Sequence, residues 1–317
     1  MTDNAPTAGA PNWDGRFAPS PTGDLHVGNL RTALVGWLVA RSRGARFVVR
    51  MEDLDPVVAH REFADQQLRD LAALGLEWDG PVVFQSERHE IYQTALQRLV
   101  DQNLVYECFC TRKEIQAASQ APNGPQLEGR YPGTCQLLTD RQRAQRSDEG
   151  RRPALRLRAQ TDEGTVNDLL SGFNTFPVDD LVLRRNDGMW AYNLAVVVDD
   201  AAQGIGTVVR ADDLLSSTPR QLHLGELLAL PPFQYVHVPL VVNELGQRLA
   251  KRDGAVTLRE LIARGVDAPS LLGQLAVSLG LLSDWLPINN PAALLPAFEL
   301  ARLSRSPWVF RPPAADR

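Results

Sequence analysis

Long apolar runs, cysteine and net positive charge are all lacking or scarce in this chain of 317 residues. No apolar run approaches the roughly 18 residues of a membrane span, so the sequence predicts no transmembrane helix. Three cysteines are too few for the disulfide framework of a secreted domain. Acidic residues outnumber basic ones by 38 to 33, which excludes a uniformly basic surface for nucleic acid. Any contact with RNA must therefore be local.

The N-terminal segment and the scarcity of lysine support two further expectations. Residues 1–14 lack the basic and apolar regions of a signal peptide, so we expect a disordered leader and a cytoplasmic protein. Lysine occurs only at Lys113 and Lys251, and the other basic residues are all arginine. A lysine at position 251 therefore indicates a need for a compact ammonium group, such as one beside phosphates.

Strand and helix signals alternate along the first third of the chain. Strands are predicted at Arg16–Ala18, Arg46–Met51 and Val82–Gln85, and helices from His26 and at Glu62–Leu74 and Glu87–Gln102. This alternation predicts the α/β class, with a Rossmann-like, doubly wound parallel sheet and ligands at the carboxyl ends of its strands. Later predicted elements are strands at Tyr192–Asp200, Gly206–Arg210 and Val236–Val242, and a helix at Asp212–Leu230.

We expect five parts along the chain. After the leader, residues 15–104 and 191–256 form the two halves of a nucleotide-binding core. Residues 105–190 form an inserted, zinc-bearing α+β subdomain with a hairpin around Asn186–Gly188, and residues 257–317 form a short helical segment. Seven arginines lie between Arg141 and Arg158. They are equally consistent with tracking an RNA backbone and with a solvated helix followed by an alternating strand.

The segment Arg16–Asn29 has the features of a phosphate-binding turn between a strand and a helix. The N-terminus of a helix offers unpaired N–H groups and partial positive charge to an anion. Asp24 is the expected N-cap, and Gly28 would allow a ligand close to the backbone. His26 and Asn29 share one side of the first turn. These features predict a site for a nucleotide triphosphate.

The three cysteines form a candidate metal site. Cys108 and Cys110 are nearly adjacent, and Cys135 follows a loop rich in glycine and proline. Such thiolates are typical of three corners of a tetrahedral zinc site, which would hold a loop-rich insertion together. The alternative is three buried thiols without a metal. Histidine or cysteine is the favoured fourth ligand, and neither lies nearby.

Two segments resemble the signature motifs of class I aminoacyl-tRNA synthetases. His26–Asn29 resembles the HIGH element, and the preceding Arg-Phe-Ala-Pro-Ser-Pro-Thr-Gly is similar to the lead-in of the glutamyl and glutaminyl branch. Arg248–Arg252 resembles the KMSKS loop, with arginine and alanine in place of its first lysine and its serine. This resemblance implies catalytic roles for His26, Asn29 and Lys251. It implies an ATP site made of Pro19, His26, Gly28, Asn29, Leu249 and Lys251.

The same resemblance implies an L-glutamate site made of Arg16, Ala18, Ser20, Glu52, Tyr192 and Arg210. Guanidinium groups pair bidentately with carboxylates, so Arg16 and Arg210 would bind the side-chain carboxylate and Glu52 the α-amino group. The implied reaction is attack of the glutamate α-carboxylate on the α-phosphorus of ATP, with Mg²⁺ present. A carboxylate needs no general base, so catalysis would rest on alignment and charge stabilisation.

The end of the sequence narrows the resemblance. Residues 257–317 follow the KMSKS-like loop, whereas a full glutamyl-tRNA synthetase continues into helical domains that read the anticodon. This shorter form resembles the glutamyl-Q tRNA(Asp) synthetases, which activate glutamate without tRNA and attach it to the queuosine base of tRNA-Asp. That likeness implies a structural Zn²⁺ on Cys108, Cys110, Tyr131 and Cys135. We also expect no anticodon-binding domain, no membrane contact and a monomer.

Three alternatives remain open at this point. A minimal glutamyl-tRNA synthetase would charge a tRNA 3′ end and would require tRNA for activation. A nucleotidyltransferase of the cytidylyltransferase type would explain the His26–Asn29 turn, but not Glu52, Arg210 and Lys251 together. A non-catalytic RNA-binding paralogue would tolerate changes in the KMSKS-like loop.

Overall fold

A computed structural model describes residues 12–119, 130–249 and 256–312. The α-helices in this part of the chain are α1 Val27–Arg41, α2 Arg61–Ala73, α3 His89–Asp101, α4 Arg112–Ser119, α5 Asp140–Asp148, α6 Tyr192–Ala202, α7 Thr218–Leu227, α8 Leu258–Ile262 and α9 Ala268–Ser278. The strands are β1 Gly15–Phe17, β2 Phe47–Met51, β3 Val83–Phe84, β4 Val105–Cys108, β5 Ala154–Leu157, β6 Glu163–Asp168, β7 Gly172–Pro177, β8 Val182–Arg184, β9 Thr207–Ala211, β10 Gln234–Val238, β11 Val241–Val242 and β12 Trp308–Val309. Short 3₁₀ helices occur at Gln85–Glu87, Asp212–Ser217, Pro291–Ala297 and Leu300–Arg302.

Seven strands form the central sheet in the order β3-β2-β1-β9-β10-β6-β7. Neighbouring strands pair in parallel, except that β6 and β7 form an antiparallel hairpin. The predicted mostly parallel α/β sheet is therefore confirmed. In the sheet, β2 lies on one side of β1 and β9 lies on the other side. This arrangement opens a crevice beyond the carboxyl ends of β1 and β9, as in other doubly wound sheets.

Helix α1 positions the start of that crevice. Its leucines Leu30, Leu34 and Leu38 are fully buried, and the helix packs against β1, β2 and β9. Since almost every side of α1 is apolar, the helix lies inside the core instead of on the surface. Its N-terminus consequently lies next to the loop that leaves β1.

The region from 105 to 190 contributes strands to two sheets. Strands β4, β5 and β8 form a separate antiparallel sheet, whereas the hairpin β6-β7 extends the central one. The predicted turn after β8 is present, because Arg185 donates its amide hydrogen to the carbonyl of Met189 and Gly188 has a φ of +88°. Helix α5 has no buried residue. Arg141–Arg146 therefore lie on a solvated helix, as one of the two alternatives predicted. Contact of these arginines with RNA stays a prediction.

Three predicted elements were wrong or incomplete. Tyr192–Asp200 is the start of α6 and not a strand, because a valine-rich segment buried on all sides has no periodicity that distinguishes the two. The predicted helix Asp212–Leu230 is a 3₁₀ helix followed by α7. The predicted strand Val236–Val242 is interrupted at Pro239, which has no amide hydrogen to donate.

The described chain begins inside the predicted leader. Asp14 forms an ion pair with Arg46 at 2.8 Å, and the side chain of Asn12 donates to the carbonyl of Gly204. Residues 12–14 are therefore tied to the core, while residues 1–11 lie outside the described part. No helix within the described residues is long and apolar enough to cross a membrane. The five-part division of the chain stays a prediction.

Candidate active site

A cavity of about 310 Å³ lies at the carboxyl ends of β1 and β9, within the size range of small-molecule sites. Its lining includes the predicted residues Arg16, Ala18, Pro19, Ser20, His26, Gly28, Asn29, Glu52, Tyr192 and Arg210. Leu249 is instead buried, and its amide donates to the carbonyl of Val241. Lys251 lies outside the described residues.

His26 and Asn29 cap α1 reciprocally. The Nδ1 of His26 accepts the amide hydrogen of Asn29, and the Oδ1 of Asn29 accepts that of His26, both over 3.2 Å. A Cβ at Gly28 would lie 2.9 Å from the imidazole, so glycine lets the ring fold over the first turn. The prediction of Asp24 as the N-cap was wrong, because α1 begins only at Val27.

The imidazole of His26 is neutral at neutral pH. Burial, followed by the charge of Arg248, lowers the pKa of His26 to about 4, against the opposing influence of Asp213. Because Nδ1 already accepts the amide hydrogen of Asn29, the proton of the neutral ring resides on Nε2. His26 can therefore donate a hydrogen bond to a ligand without bringing a full charge.

A buried charge cluster fixes Arg16 beside the cavity. Its Nε donates to Oδ1 of Asp200 over 2.9 Å, and the same oxygen accepts from Nη1 of Arg50 over 2.7 Å. Burial would raise the pKa of Asp200, but the two guanidinium groups outweigh it and lower the pKa. Arg50 also lies 3.4 Å from Glu52 and 3.8 Å from Asp199, so several carboxylates share the cluster that holds Arg16 in place beside the cavity.

Arg210, which is 5% exposed, is held differently. Its Nε donates to Nε2 of His237 over 3.1 Å, its Nη1 to Oε1 of Gln221 over 2.7 Å and its Nη2 to Oγ1 of Thr218 over 2.8 Å. All three acceptors are neutral, and no carboxylate within the described residues pairs directly with this guanidinium. A buried cation without a counterion is costly, so the cavity favours an anionic ligand at this point.

Glu52 supplies a carboxylate to the same cavity. Its Oε1 lies 3.4 Å from Nη2 of Arg50. Burial raises the pKa of Glu52, although Arg50 and Arg16 oppose this shift. An ammonium group bound next to Glu52 would favour its charged form. Tyr192, at the start of α6, is 37% exposed and adds a ring and a hydroxyl to the wall.

The residues that hold the two arginines were missed by the sequence analysis. Asp200 and His237 are 3% and 2% exposed, and each lies in a segment that was predicted only as an apolar strand. A polar residue within an apolar run must find partners inside the protein. That pattern was the signal that could have identified both side chains.

The predicted zinc ligands converge in the structure. The sulfur atoms of Cys108, Cys110 and Cys135 lie within 4.8 Å of one another. The hydroxyl of Tyr131 lies 3.3 Å from the sulfur of Cys108 and 4.0 Å from that of Cys110. Hydrogen bonding with Cys110, against the effect of burial, lowers the pKa of Cys108 to about 5. One thiolate beside two thiols suits a soft divalent metal.

Comparisons with known proteins agree with this geometry. A family model described as "tRNA synthetases class I (E and Q), catalytic domain" matches residues 14–284. A glutamate–tRNA ligase of Pelobacter propionicus is 39% identical and covers 94% of this chain, which spans 63% of that relative. The crystal structure of a glutamate tRNA ligase from Elizabethkingia meningosepticum with its amino acid superposes with a TM-score of 0.78 at 25% identity, covering 94% of this chain and 67% of that one.

Relatives of similar length are more alike in sequence. The glutamyl-Q tRNA(Asp) synthetase of Nocardia farcinica is 56% identical over 96% of this chain and 94% of its own length. That of Cutibacterium acnes is 51% identical over 96% of this chain and 88% of its own length. The chain therefore belongs to the glutamyl-Q tRNA(Asp) synthetases, ligases of the class I glutamyl and glutaminyl synthetase family.

Proposed function

We propose that this protein activates L-glutamate with ATP in the absence of tRNA and transfers the glutamyl group to the queuosine base at the wobble position of tRNA-Asp. The observation that carries the activation step is one cavity lined by all six predicted glutamate residues and by four of the six predicted ATP residues. The names of the relatives and the groove described below support the transfer step.

Selection of glutamate follows from the charges around the cavity. The guanidinium of Arg210 has only neutral partners, so a carboxylate neutralises it while the amide of glutamine does not. Arg16 adds a second fork from β1, and Glu52 binds the ammonium group. This arrangement fixes the orientation of glutamate and leaves its α-carboxylate free to react.

Activation then requires alignment more than proton transfer. The α-carboxylate attacks the α-phosphorus of ATP, the bond to the pyrophosphate leaving group breaks, and glutamyl-adenylate forms. The neutral His26 donates a hydrogen bond to the developing charge, and the N-terminus of α1 adds its partial positive charge. Lys251 is proposed to bind the leaving phosphates. Mg²⁺ would neutralise phosphate charge. Asp213 and Glu52 are the acidic residues among the described lining residues, and Asp213 is the one proposed to hold the ion.

A second groove of about 810 Å³ adjoins the cavity and shares Glu52 and Tyr192 with it. Two buried polar side chains in its wall have an atom without a partner among the described residues. These atoms are the acceptor Oε1 of Gln85 and the donor Nε of Arg156. Gln85 is 0% exposed and Arg156 is 8% exposed. Leaving both unpaired is costly. Both atoms are inaccessible in this conformation, so a hydroxyl-rich acceptor such as the cyclopentene diol of queuosine would satisfy them once the two side chains turn toward the groove.

We assign the cysteine cluster to structural zinc, held by Cys108, Cys110, Cys135 and the hydroxyl of Tyr131. The guanidinium of Arg156 lies 3.8 Å from the centre of the Tyr131 ring. Burial and the hydrogen bond with Cys108 raise the pKa of the Tyr131 hydroxyl, so a bound zinc ion would have to displace its proton. A zinc ion here would join the end of β4 to the segment around Cys135 and so support one wall of the acceptor groove.

Metal analysis tests this assignment. We expect about one zinc ion per purified chain, near-complete loss in Cys135→Ser, and a fall in affinity of at least about tenfold in Tyr131→Phe. The Phe variant keeps the ring beneath Arg156 and removes only the oxygen, so it isolates the fourth ligand. Protein free of zinc would contradict the metal site, and unchanged affinity in Tyr131→Phe would reject Tyr131 alone.

The acceptor is tested with two preparations of tRNA-Asp that differ only in having queuosine or guanosine at the wobble position. We expect labelled glutamate to attach to the queuosine form alone. Gln85→Leu should reduce this transfer by roughly tenfold or more. Because Nε2 of Gln85 also donates to Asp199, which lies 3.8 Å from Arg50, glutamate activation is measured separately and should fall by a smaller factor. Charging of both tRNAs at the 3′ end would favour a minimal glutamyl-tRNA synthetase instead.

A further inference from the structure

Behind Arg210 lies a second buried pair, Asp168 and His237, and neither residue is among those that line the substrate cavity. Both residues are 2% exposed. Nδ1 of His237 lies 2.7 Å from Oδ2 of Asp168, and Nε2 accepts the Nε hydrogen of Arg210 over 3.1 Å. The three side chains form one line from β6 through β10 to β9, since His237 is directly opposite Arg210 in the sheet.

The hydrogen bonds leave one protonation pattern for this line. A guanidinium can only donate, so Nε2 of His237 must be an acceptor and its proton must reside on Nδ1. That proton is donated to Asp168. Burial lowers the pKa of His237, which keeps the ring neutral, so a single tautomer is held in place.

Asp168 is itself firmly fixed. Its Oδ1 accepts from the amides of Leu170 and Ser171 and from the hydroxyl of Ser171, and its Oδ2 also accepts the amide of His237. Burial would raise the pKa of Asp168, but the hydrogen bonds from His237 and from these amides outweigh it and lower the pKa. The carboxylate is therefore a permanent acceptor.

From this geometry we propose that Asp168 and His237 are positioning residues for glutamate recognition. Asp168 holds His237 in the tautomer whose Nε2 accepts from Arg210, and this fixes the orientation of the guanidinium beside the cavity in which the substrate carboxylate is proposed to bind. The proposal rests on the proposed function, because it concerns the same glutamate site. It adds two residues to the determinants of specificity, neither of which contacts the substrate.

The test uses the full-length protein and glutamate-dependent exchange of labelled pyrophosphate into ATP. Asp168→Asn places an amide where Oδ2 stood, which favours the other tautomer of His237 and sets an N–H against that of Arg210. We expect the KM for glutamate to rise roughly tenfold to a hundredfold while the KM for ATP changes by less than about twofold. The preference for glutamate over glutamine should fall as well.

Two further comparisons separate positioning from a general loss of packing. His237→Gln retains an acceptor near the place of Nε2 and should keep a lower KM for glutamate than His237→Leu. In the His237→Leu background, Asp168→Asn should add less than about twofold, because its effect passes through the imidazole. Asp180→Asn is the matched control: it removes another buried carboxylate, one that accepts from Tyr106, and should leave the KM for glutamate unchanged.

Calorimetric binding of glutamate to wild-type protein distinguishes the possible failures. If wild type binds glutamate and exchanges pyrophosphate, but Asp168→Asn leaves the KM unchanged or raises both KM values equally, the positioning role is overturned and the proposed function stands. Independent, multiplicative effects of the substitutions at Asp168 and His237 on the KM for glutamate would also overturn the positioning role. If wild type neither binds glutamate nor supports exchange, both proposals fall.

Discussion

His26→Asn is expected to lower the maximal rate of glutamate-dependent pyrophosphate exchange by about 10²–10³, the usual cost of losing one preorganised donor to a transition state. Asparagine is a good N-cap, so this variant keeps the acceptor for the amide of Asn29 and removes only the Nε2 donor. The KM for glutamate should change little, because the donor acts on charge that develops at the phosphate.

His26→Ala and Thr139→Ala complete this comparison. His26→Ala should lose the same rate and, in addition, about 1 kcal/mol of unfolding free energy, since alanine cannot cap α1. Thr139 caps the remote helix α5 through the same type of reciprocal bonds, so Thr139→Ala should cost stability without affecting the rate. Full activity in His26→Asn would show that His26 serves only as a cap.

Arg210→Gln is expected to lower kcat/KM for glutamate by about 10²–10⁴, the range for removing one partner of a buried charge pair. The loss should be much smaller for glutamine, so the discrimination between the two amino acids should collapse. Arg210→Lys keeps the charge but loses the planar fork, and should give an intermediate effect. Steady-state exchange with each amino acid measures both outcomes.

The matched control for Arg210 is Arg41→Gln. Arg41 lies in the last turn of α1, far from the cavity, and pairs with Asp79 at 2.7 Å. Its loss should leave the preference for glutamate unchanged. If Arg210→Gln and Arg41→Gln both keep the wild-type preference for glutamate over glutamine, Arg210 does not bind the substrate carboxylate.

Most of the predicted site residues lie together in one cavity although several of the elements that carry them were predicted wrongly, and the binding roles of these residues stay predictions. Seven of the ten predicted residues that line the cavity belong to Arg16–Asn29, whose spacing fixes a turn and the first turn of a helix, whereas Glu52, Tyr192 and Arg210 reach it from three other segments. Tyr192 lies in the cavity wall even though its segment was mistaken for a strand. Burial on all sides erased the periodicity of α6, so only tertiary contacts decided its conformation.

The partners of the site residues could not be predicted in the same way. Asp200 joins Arg16 across 184 positions, and Asp168 joins His237 across 69. Such pairs depend on which strands become neighbours, and local sequence does not state that order. The sequence did indicate that each polar residue in an apolar run required a partner, without indicating which one.

Formation of glutamyl-adenylate by this chain alone is tested by exchange of labelled pyrophosphate into ATP, with glutamate present and every tRNA removed. We expect exchange with glutamate, and little with glutamine or aspartate. Absence of exchange without tRNA, with exchange appearing when a tRNA mixture is added, would contradict this and identify a minimal glutamyl-tRNA synthetase. Absence of exchange under both conditions would favour an RNA-binding protein without catalytic activity.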